Sequence, residues 1–555
     1  MEDAKPQEKL HVSLIKKCRE VHDGQTVAAC LHGSRAGGYH RENSDFDVLM
    51  ILREYPEGIR YNYIPFLNVH VALLLVDEDL FKLDVTRGGL GEFVAGRILT
   101  PYIPLMSGGY LKESELALKK RVSIEELEEL IIEYGELSRG LLFRPEFIAF
   151  SRMRKRARAY PPLSYSYLRL LSSKRRDGNL KAIMEGYMKA LNILEREQVV
   201  KGVDEFYEIR DIFIDRVLKK KYRKKFVNIL EYSSRAIQSY LAQGRAGRVS
   251  LDLIAKELTT KLIKGLATPI WSESLDPMNY LYLRAGEGIV SLKDEASITE
   301  LIRRLRPDGE VTIKRLGGAI NEVFLGEADG ERLVIKKFSD WFIFKWFTLN
   351  IVAFGSKIFS VSGRERLFNE YGVTNLLEEE GNIPVPRIIH VSIPKRILVK
   401  EFIQGRTYLD MVKQYLSLNL AYVDKPSPFH ALGEVFAKVH SIGVALGDTK
   451  PENFIYSKDK TSYILDLEQA KKGEDFAWDI AEFLYYSGHY GLTLNDGIKS
   501  IAEEFIDGYI SGGGAYSTLR RAASLPYVKV FSFWTPLPVL IYLSNRLKRS
   551  NSRKI

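Results

Sequence analysis

The chain has 555 residues, too many for one hydrophobic core, so length points to three or four domains. With 45% hydrophobic and 27% charged residues it has the balance of a folded protein, which excludes wholesale disorder. The net charge of +10 points weakly to anionic partners such as nucleotides, RNA or acidic lipid headgroups. Cys18 and Cys30 are the only cysteines and have no metal-ligand spacing, so two buried thiols in a reducing cytoplasm are expected, with no disulfide framework. The opening MEDAKPQEKL is polar, and no run reaches the roughly 18 uncharged apolar residues of a membrane span. A cytoplasmic protein is expected, soluble or peripheral at the inner membrane face.

Residues 1–112 alternate helix and strand signals, with buried strands expected at Thr26 to His32, Phe46 to Leu52 and Val69 to Val76. Leu31-His32-Gly33-Ser34 closes the first strand in a tight turn, and Ser44-Asp45-Phe46-Asp47 opens the second. The i, i+2 spacing sets Asp45 and Asp47 on one strand face, where two carboxylates chelate magnesium while Ser34 and nearby amides receive a triphosphate. This paired motif resembles the nucleotidyltransferase superfamily of polymerase-β type, in its minimal form, over about 100 residues. The resemblance implies an α/β domain with Gly33 and Ser34 on the triphosphate, Asp45 and Asp47 on the metal, and a third carboxylate on the next strand. That strand reads Asn68-Val69-His70-Val71-Ala72, so His70 stands where the acid is expected; Asp77 and Asp79 substitute only in a shifted register. Nucleotidyl transfer and nucleotide binding without turnover both stay open.

From 113 the period becomes 3.6, in Ile124, Leu127, Leu130, Ile131, Tyr134 and Leu137, with Ser123 and Glu126 placed as a capping box. An all-α basic connector is expected over 113–300. Its clusters are Arg152, Arg154, Lys155, Arg156, Arg158, Arg169, Lys174, Arg175 and Arg176, then Lys219 to Lys225. The first is interleaved with Tyr160, Tyr165 and Tyr167, a composition suited to RNA or another polyanion and equally to a solvated helix face.

Over 301–515 the period returns to two, with short strands expected at 311–316, 322–327 and 332–338 and a helix at about 364–380. Lys336 ends the apolar strand Leu333-Val334-Ile335, and Glu370 follows thirty-four positions later in the helical stretch. Leu398 to Phe402 is a strand running into Gly405, and Gly317-Gly318-Ala319-Ile320-Asn321 is a weak glycine-rich cover. Then come Gly447-Asp448-Thr449-Lys450-Pro451-Glu452-Asn453 and Ile464-Leu465-Asp466. An acid, an amide five residues on and a second acid after a hairpin form a two-metal constellation for phosphoryl transfer.

Order and spacing here resemble the protein-kinase-like superfamily, over roughly 308–515. The resemblance implies an α+β two-lobed domain that uses ATP with Mg or Mn. Lys336 and Glu370 would position ATP beneath Gly317 and Gly318, and backbone groups at Glu401 and Phe402 would meet the adenine edge. Asp448 would orient or deprotonate the acceptor hydroxyl, Lys450 would neutralise the transferring phosphoryl, and Asn453 and Asp466 would hold the metal. Leu446-Gly447 precedes Asp448 in place of His-Arg, Leu467-Glu468 follows Asp466 in place of Phe-Gly, and only thirteen positions separate Asp466 from Asp479. The chain thus looks like the atypical branch of RIO kinases, the small kinase of the tRNA threonylcarbamoylation (KEOPS) complex, lipopolysaccharide sugar kinases and aminoglycoside phosphotransferases. A protein Ser/Thr acceptor is favoured, a sugar or lipid hydroxyl at a membrane surface is the alternative, and a nonenzymatic nucleotide-regulated, RNA-binding scaffold is the second.

His440, at the end of the helix marked by Phe429, Leu432 and Phe436, is expected to be a packed residue outside the site. The aromatic insert Trp341 to Phe347, with Lys345 and Lys357, suits core or an interdomain seal, or else a membrane interface. Residues 516–555 read as an apolar, then basic, tail that could assist such a contact.

Overall fold

In a computed structural model the described residues are 6–22, 25–160, 162–220, 275–286, 288–305, 312–317, 321–328, 330–340, 360–418, 427–473 and 475–549, with short stretches between 237 and 247. The chain divides into two compact units, Met1–Glu133 with Leu142–Leu281, and Tyr134–Leu141 with Tyr282–Ile555. Among the described residues no helix is long and apolar enough to cross a membrane.

The first unit opens with α1 (Pro6–Arg19), β1 (Thr26–His32), α2 (Gly33–Ala36), β2 (Phe46–Leu52), β3 (Ile59–Phe66), β4 (Val69–Asp77), α3 (Glu78–Arg87) and β5 (Ile103–Met106). The sheet order is β3-β4-β2-β1-β5, with β2 and β4 parallel and the other pairs antiparallel. The three apolar runs are its inner strands, as expected. The edges β3 and β5 were not expected; they carry Pro65 and Pro104, which an edge tolerates because one side of the ladder is unpaired. Alternate residues Phe46, Val48, Met50, Val71, Leu73 and Leu75 share a buried core with Leu14 and Cys18 of α1. Cys18 and Cys30 are both buried free thiols, pushed up to about 12 by burial.

Asp84 of α3 is fully buried and accepts backbone N–H groups from Leu90, Glu92, Val94 and Ala95 at 2.8–3.0 Å. Its carboxylate closes the loop after α3 and supports Glu92, a non-glycine residue at φ 60°. Asp84→Ala leaves those donors unmatched and is expected to lower stability by about 3–5 kcal/mol. Chemical denaturation checks this; an unchanged midpoint contradicts the assignment.

Next come α4 (Gly108–Tyr134), β6 (Leu141–Phe143), α5 (Pro145–Ala159), α6 (Pro162–Ser172), α7 (Arg176–Arg196), β7 (Val200–Val203), β8 (Phe206–Ile209) and α8 (Asp211–Leu218). Two expectations are corrected here. The connector is not all-α, because β8 pairs with both β6 and β7. Nor do Ser123 and Glu126 cap a helix: they lie inside α4, where the Ser123 hydroxyl donates to the Lys119 carbonyl one turn back and Glu126 pairs with Lys155.

In the second unit a hairpin of β9 (Leu281–Ala285) and β10 (Gly288–Ser291) and helix α9 (Ile298–Leu305) precede β11 (Thr312–Gly317), β12 (Glu322–Ala328), β13 (Glu331–Lys337), α10 (Gly363–Gly381), β14 (Ile388–Ser392) and β15 (Ile397–Glu401). Their antiparallel sheet runs β11-β12-β13-β15-β14, and Leu301 and Ile302 of α9 pack on its Leu333, Ile335 and Val399. The 3-10 turn Gly135–Gly140 lies along α10, where the Tyr371 hydroxyl donates to the Gly140 carbonyl.

The helical part comprises β16 (Gly405–Thr407), α11 (Tyr408–Leu418), α12 (Pro428–Ser441), β17 (Val444–Ala445), β18 (Phe454–Ser457), β19 (Ser462–Ile464), β20 (Lys471–Lys472), α13 (Phe476–His489), α14 (Asp496–Ser511), α15 (Tyr516–Ala522), α16 (Leu525–Phe531) and α17 (Leu537–Lys548). Residues after 515 do not form a separate tail. Leu519, Tyr527, Phe531, Val539, Leu543 and Leu547 are buried in the same core as Phe436, Phe483 and Phe505.

Candidate functional site

Among the described residues the site residues gather in one group in the first unit and in two groups in the second. In the first unit β1 ends at His32 and the chain turns at Gly33, at φ 71°, the first residue of α2, with Ser34 next. A Cβ on Gly33 would lie 2.3 Å from Asp47 Oδ2, so the carboxylate fills space that only glycine leaves. Asp45 lies just before β2 and Asp47 within it; the parallel register sets Asp47 beside Ala72 and Phe46 beside Val71 of β4. His70 therefore neighbours Asp45: its backbone N–H donates to Asp45 Oδ1 at 3.2 Å, and its Nδ1 lies 3.9 Å from that oxygen.

Asp77 does not substitute for the missing acid. It caps α3, accepting from the N–H groups of Asp79 and Leu80, and also receives the Tyr55 N–H at 2.9 Å. Burial pushes the Asp47 carboxyl up to about 6, against Arg97 and Arg35 and with help from Asp45. Sequence reasoning missed both arginines. Arg35 donates to the Ser44 carbonyl at 2.6 Å and stacks 3.7 Å over Phe46, and Arg97 donates to the Tyr61 hydroxyl at 2.6 Å. Two carboxylates against a glycine cradle fit magnesium as hard oxygen donors; the His70 nitrogen is a poorer one.

Much of the first basic cluster is internal. Arg152 is buried among Glu92, Glu125 and Glu126, Lys155 bridges Glu126 and Glu129 at 2.5 Å, and Arg154 meets Asp276 at 3.1 Å. Burial would raise Glu92, but Arg152, Arg121 and Arg156 outweigh it and hold the carboxyl down at about 2. Arg158, Arg169, Lys174, Arg175 and Arg176 are exposed, as is Tyr165, while Tyr167 is buried. Lys219 and Lys220 are also exposed, and 221–225 lie outside the described residues.

In the second unit β13 carries Lys336 and α10 carries Glu370, 2.7 Å apart. Lys336 Nζ is also 2.9 Å from Asp466 Oδ2 and 3.0 Å from Glu468 Oε2. Burial opposes its charge, but Asp466, Glu370 and Glu468 hold the ammonium well above the usual lysine range. Burial raises both acids after β19; Lys336 brings Asp466 below its ordinary value while Glu468 stays raised.

Glu370, Asp466 and Glu468 each bring an oxygen within 4.8 Å of the others, a donor set suited to a divalent cation. Sequence reasoning missed the surrounding frame. Lys400 of β15 donates to the other Glu370 oxygen at 2.7 Å and to the Leu465 carbonyl at 2.6 Å. The fully buried Arg366 holds Glu468 at 3.0 Å, and the Asn321 amide donates to it at 2.6 Å.

Asp448 and Lys450 meet at 3.0 Å, and the Asn453 amide donates to the Asp448 carbonyl at 3.0 Å. Buried Asp479 of α13 positions this loop by accepting the N–H groups of Leu446 and Gly447 at 2.7 and 2.8 Å. His440 is packed as expected and bonds Asp479 at 3.1 Å and the Tyr509 hydroxyl at 2.9 Å. The Glu401 side chain holds Arg387 and its N–H donates to the Arg387 carbonyl at 3.0 Å, and Phe402 carries Arg332 4.4 Å over its ring. Gly317 ends β11; Gly318 and the insert Trp341 to Phe347 lie outside the described residues.

The family model for the nucleotidyltransferase domain matches residues 13–97, a span that holds Gly33, Ser34, Asp45, Asp47 and His70. No curated protein matches the chain. Residues 13–97 are thus similar to a nucleotidyltransferase domain, a likeness that carries the expectation of a nucleoside triphosphate substrate and Mg or Mn.

Proposed function

We propose that this nucleotidyltransferase domain is joined to an ATP- and magnesium-dependent phosphotransferase of the atypical protein-kinase type in the second unit. The observation that carries the reading is the junction of Lys336 with Glu370 at 2.7 Å and Asp466 at 2.9 Å, on strand, helix and loop of one unit. In this reading Lys336, released from Asp466 and Glu468, meets the α- and β-phosphates while Glu370 holds its direction. Gly317 and Gly318 cover the nucleotide, and the Glu401 and Phe402 backbone meets the adenine edge. Asp448 takes the acceptor hydroxyl proton, and Lys450 neutralises the transferring phosphoryl. Asn453 and Asp466 supply oxygens for magnesium, which when bound offsets phosphate charge. A protein Ser/Thr hydroxyl is the favoured acceptor. A lipid or sugar hydroxyl is favoured instead by the thirteen positions between Asp466 and Asp479, too few for a long activation segment.

Label transfer from ATP traced at the γ- or the α-phosphate tests both heads. γ-label on peptide, lipid or sugar that is lost with chelation supports the reading; its absence on every acceptor removes it and favours the scaffold. α-label lost on changing Asp45 and Asp47 to alanine shows an active nucleotidyltransferase. For that head, His70→Asp supplies the third carboxylate beside Asp45 and is expected to raise α-label transfer at least about tenfold. An unchanged rate would mean that His70 is not what limits the domain.

A further inference from the structure

We infer that α16, α17 and the turn between them dock on a bilayer surface rich in anionic lipid. Each helix buries one face in the core, yet the opposite face is also apolar. Leu525 is 77% exposed, Phe533 79%, Leu537 65% and Ile541 51%. Leu537 and Ile541 are one turn apart on one stripe of α17, and the Phe533 and Trp534 rings, 6.1 Å apart, stand in the turn before it. Single exposed leucines are ordinary on a protein surface; a continuous set of large apolar side chains marks a contact surface.

Charge identifies the partner. After Asp507 the chain has no Asp or Glu and eight Lys or Arg. Exposed Lys529 follows Leu525 by one turn, and exposed Lys548 continues the Leu537, Ile541 stripe. A bilayer interface selects this pairing: apolar side chains and an aromatic enter the acyl boundary while lysine and arginine reach headgroup anions. Arg521 and Arg546 pair with Asp475 and Glu503, so exposed Lys529 and Lys548 are the flanking cations that meet the headgroups. The contact is peripheral, since no described helix is long and apolar enough to cross. The inference does not rest on the phosphotransferase reading.

The test is co-sedimentation of the full chain with phosphatidylcholine vesicles and with vesicles in which about a third of the lipid is phosphatidylserine. Binding at least about tenfold stronger to the anionic vesicles, and released by about 0.5 M salt, is expected. Phe533→Ser, Leu537→Ser and Ile541→Ser combined should lower it at least about tenfold with thermal unfolding unchanged, because these side chains are exposed. Lys529→Glu with Lys548→Glu should remove the preference for anionic lipid. Equal binding to neutral vesicles, no binding by the folded wild type, or wild-type binding by the triple variant overturns the inference. Self-association lost in the triple variant, without vesicle binding, assigns the face to a second copy of the chain instead.

Discussion

Replacing Asp448 with alanine is expected to lower γ-phosphoryl transfer about 10³-fold and to leave the fold intact. The side chain pairs with Lys450, whereas the Asn453 amide uses the Asp448 backbone carbonyl, which alanine retains. The loop itself hangs from Asp479 through the N–H groups of Leu446 and Gly447. In the proposed phosphotransferase reading, removing the carboxylate deletes the proton acceptor without unseating the backbone, and stability should change by no more than about 0.5 kcal/mol. Because Asp448 makes no contact in the Lys336, Glu370 cluster, kcat should fall while KM for ATP holds. A variant that phosphorylates at the wild-type rate would show that the loop is not catalytic.

Asp479→Ala should fail differently, losing about 3–5 kcal/mol of stability together with about 100-fold in rate. The carboxylate is completely buried and satisfies two backbone donors and the His440 imidazole. Alanine strands all three in a site with no exposed surface to supply water. The Asp448 loop then loses its anchor, and in the proposed phosphotransferase reading misplacement of a reacting group by about 1 Å suffices for such a rate loss. Asp479→Asn keeps one acceptor oxygen and should fall between the two. Denaturant unfolding and γ-label turnover, read together, separate this anchoring role from the chemical role proposed for Asp448: one variant is expected to be folded and inactive, the other unstable and slow. Wild-type stability in Asp479→Ala would contradict the hydrogen-bond account.

The inner strands of the first unit were legible because β1, β2 and β4 are unbroken apolar runs buried on both faces, with Gly33, Asp45 and Asp47 fixed to their ends. The edges were not: Ile59–Phe66 mixes Asn, two tyrosines and a proline, and its alternation shows only once β4 lies beside it. Lys336 and Glu370 could be paired by spacing, because strand then helix is a local grammar. Lys400, Arg366 and Asn321 could not, since three distant segments bring them to Glu370 and Glu468. The same limit misled the reading of Arg152 and Lys155, whose partners Glu92, Glu125, Glu126 and Glu129 lie on earlier segments. Charge in sequence shows how much there is, and folding decides how much reaches the surface.

The Tyr134–Leu141 segment belongs to the second unit, although most of that unit begins at Tyr282. Its turn lies so close to α10 that a Cβ on Gly372 would sit 2.0 Å from the Glu136 carbonyl oxygen. Gly140 and its partner Tyr371 are 231 positions apart. On the ribosome, the bracket for the helix bearing Glu370 thus emerges long before the helix does, and waits while the rest of the first unit is made. No single cut of the chain yields both units whole. A fragment starting at Tyr282 would bare Tyr371 and the Gly372 face of α10, so expression of the second unit by itself is expected to need those eight residues.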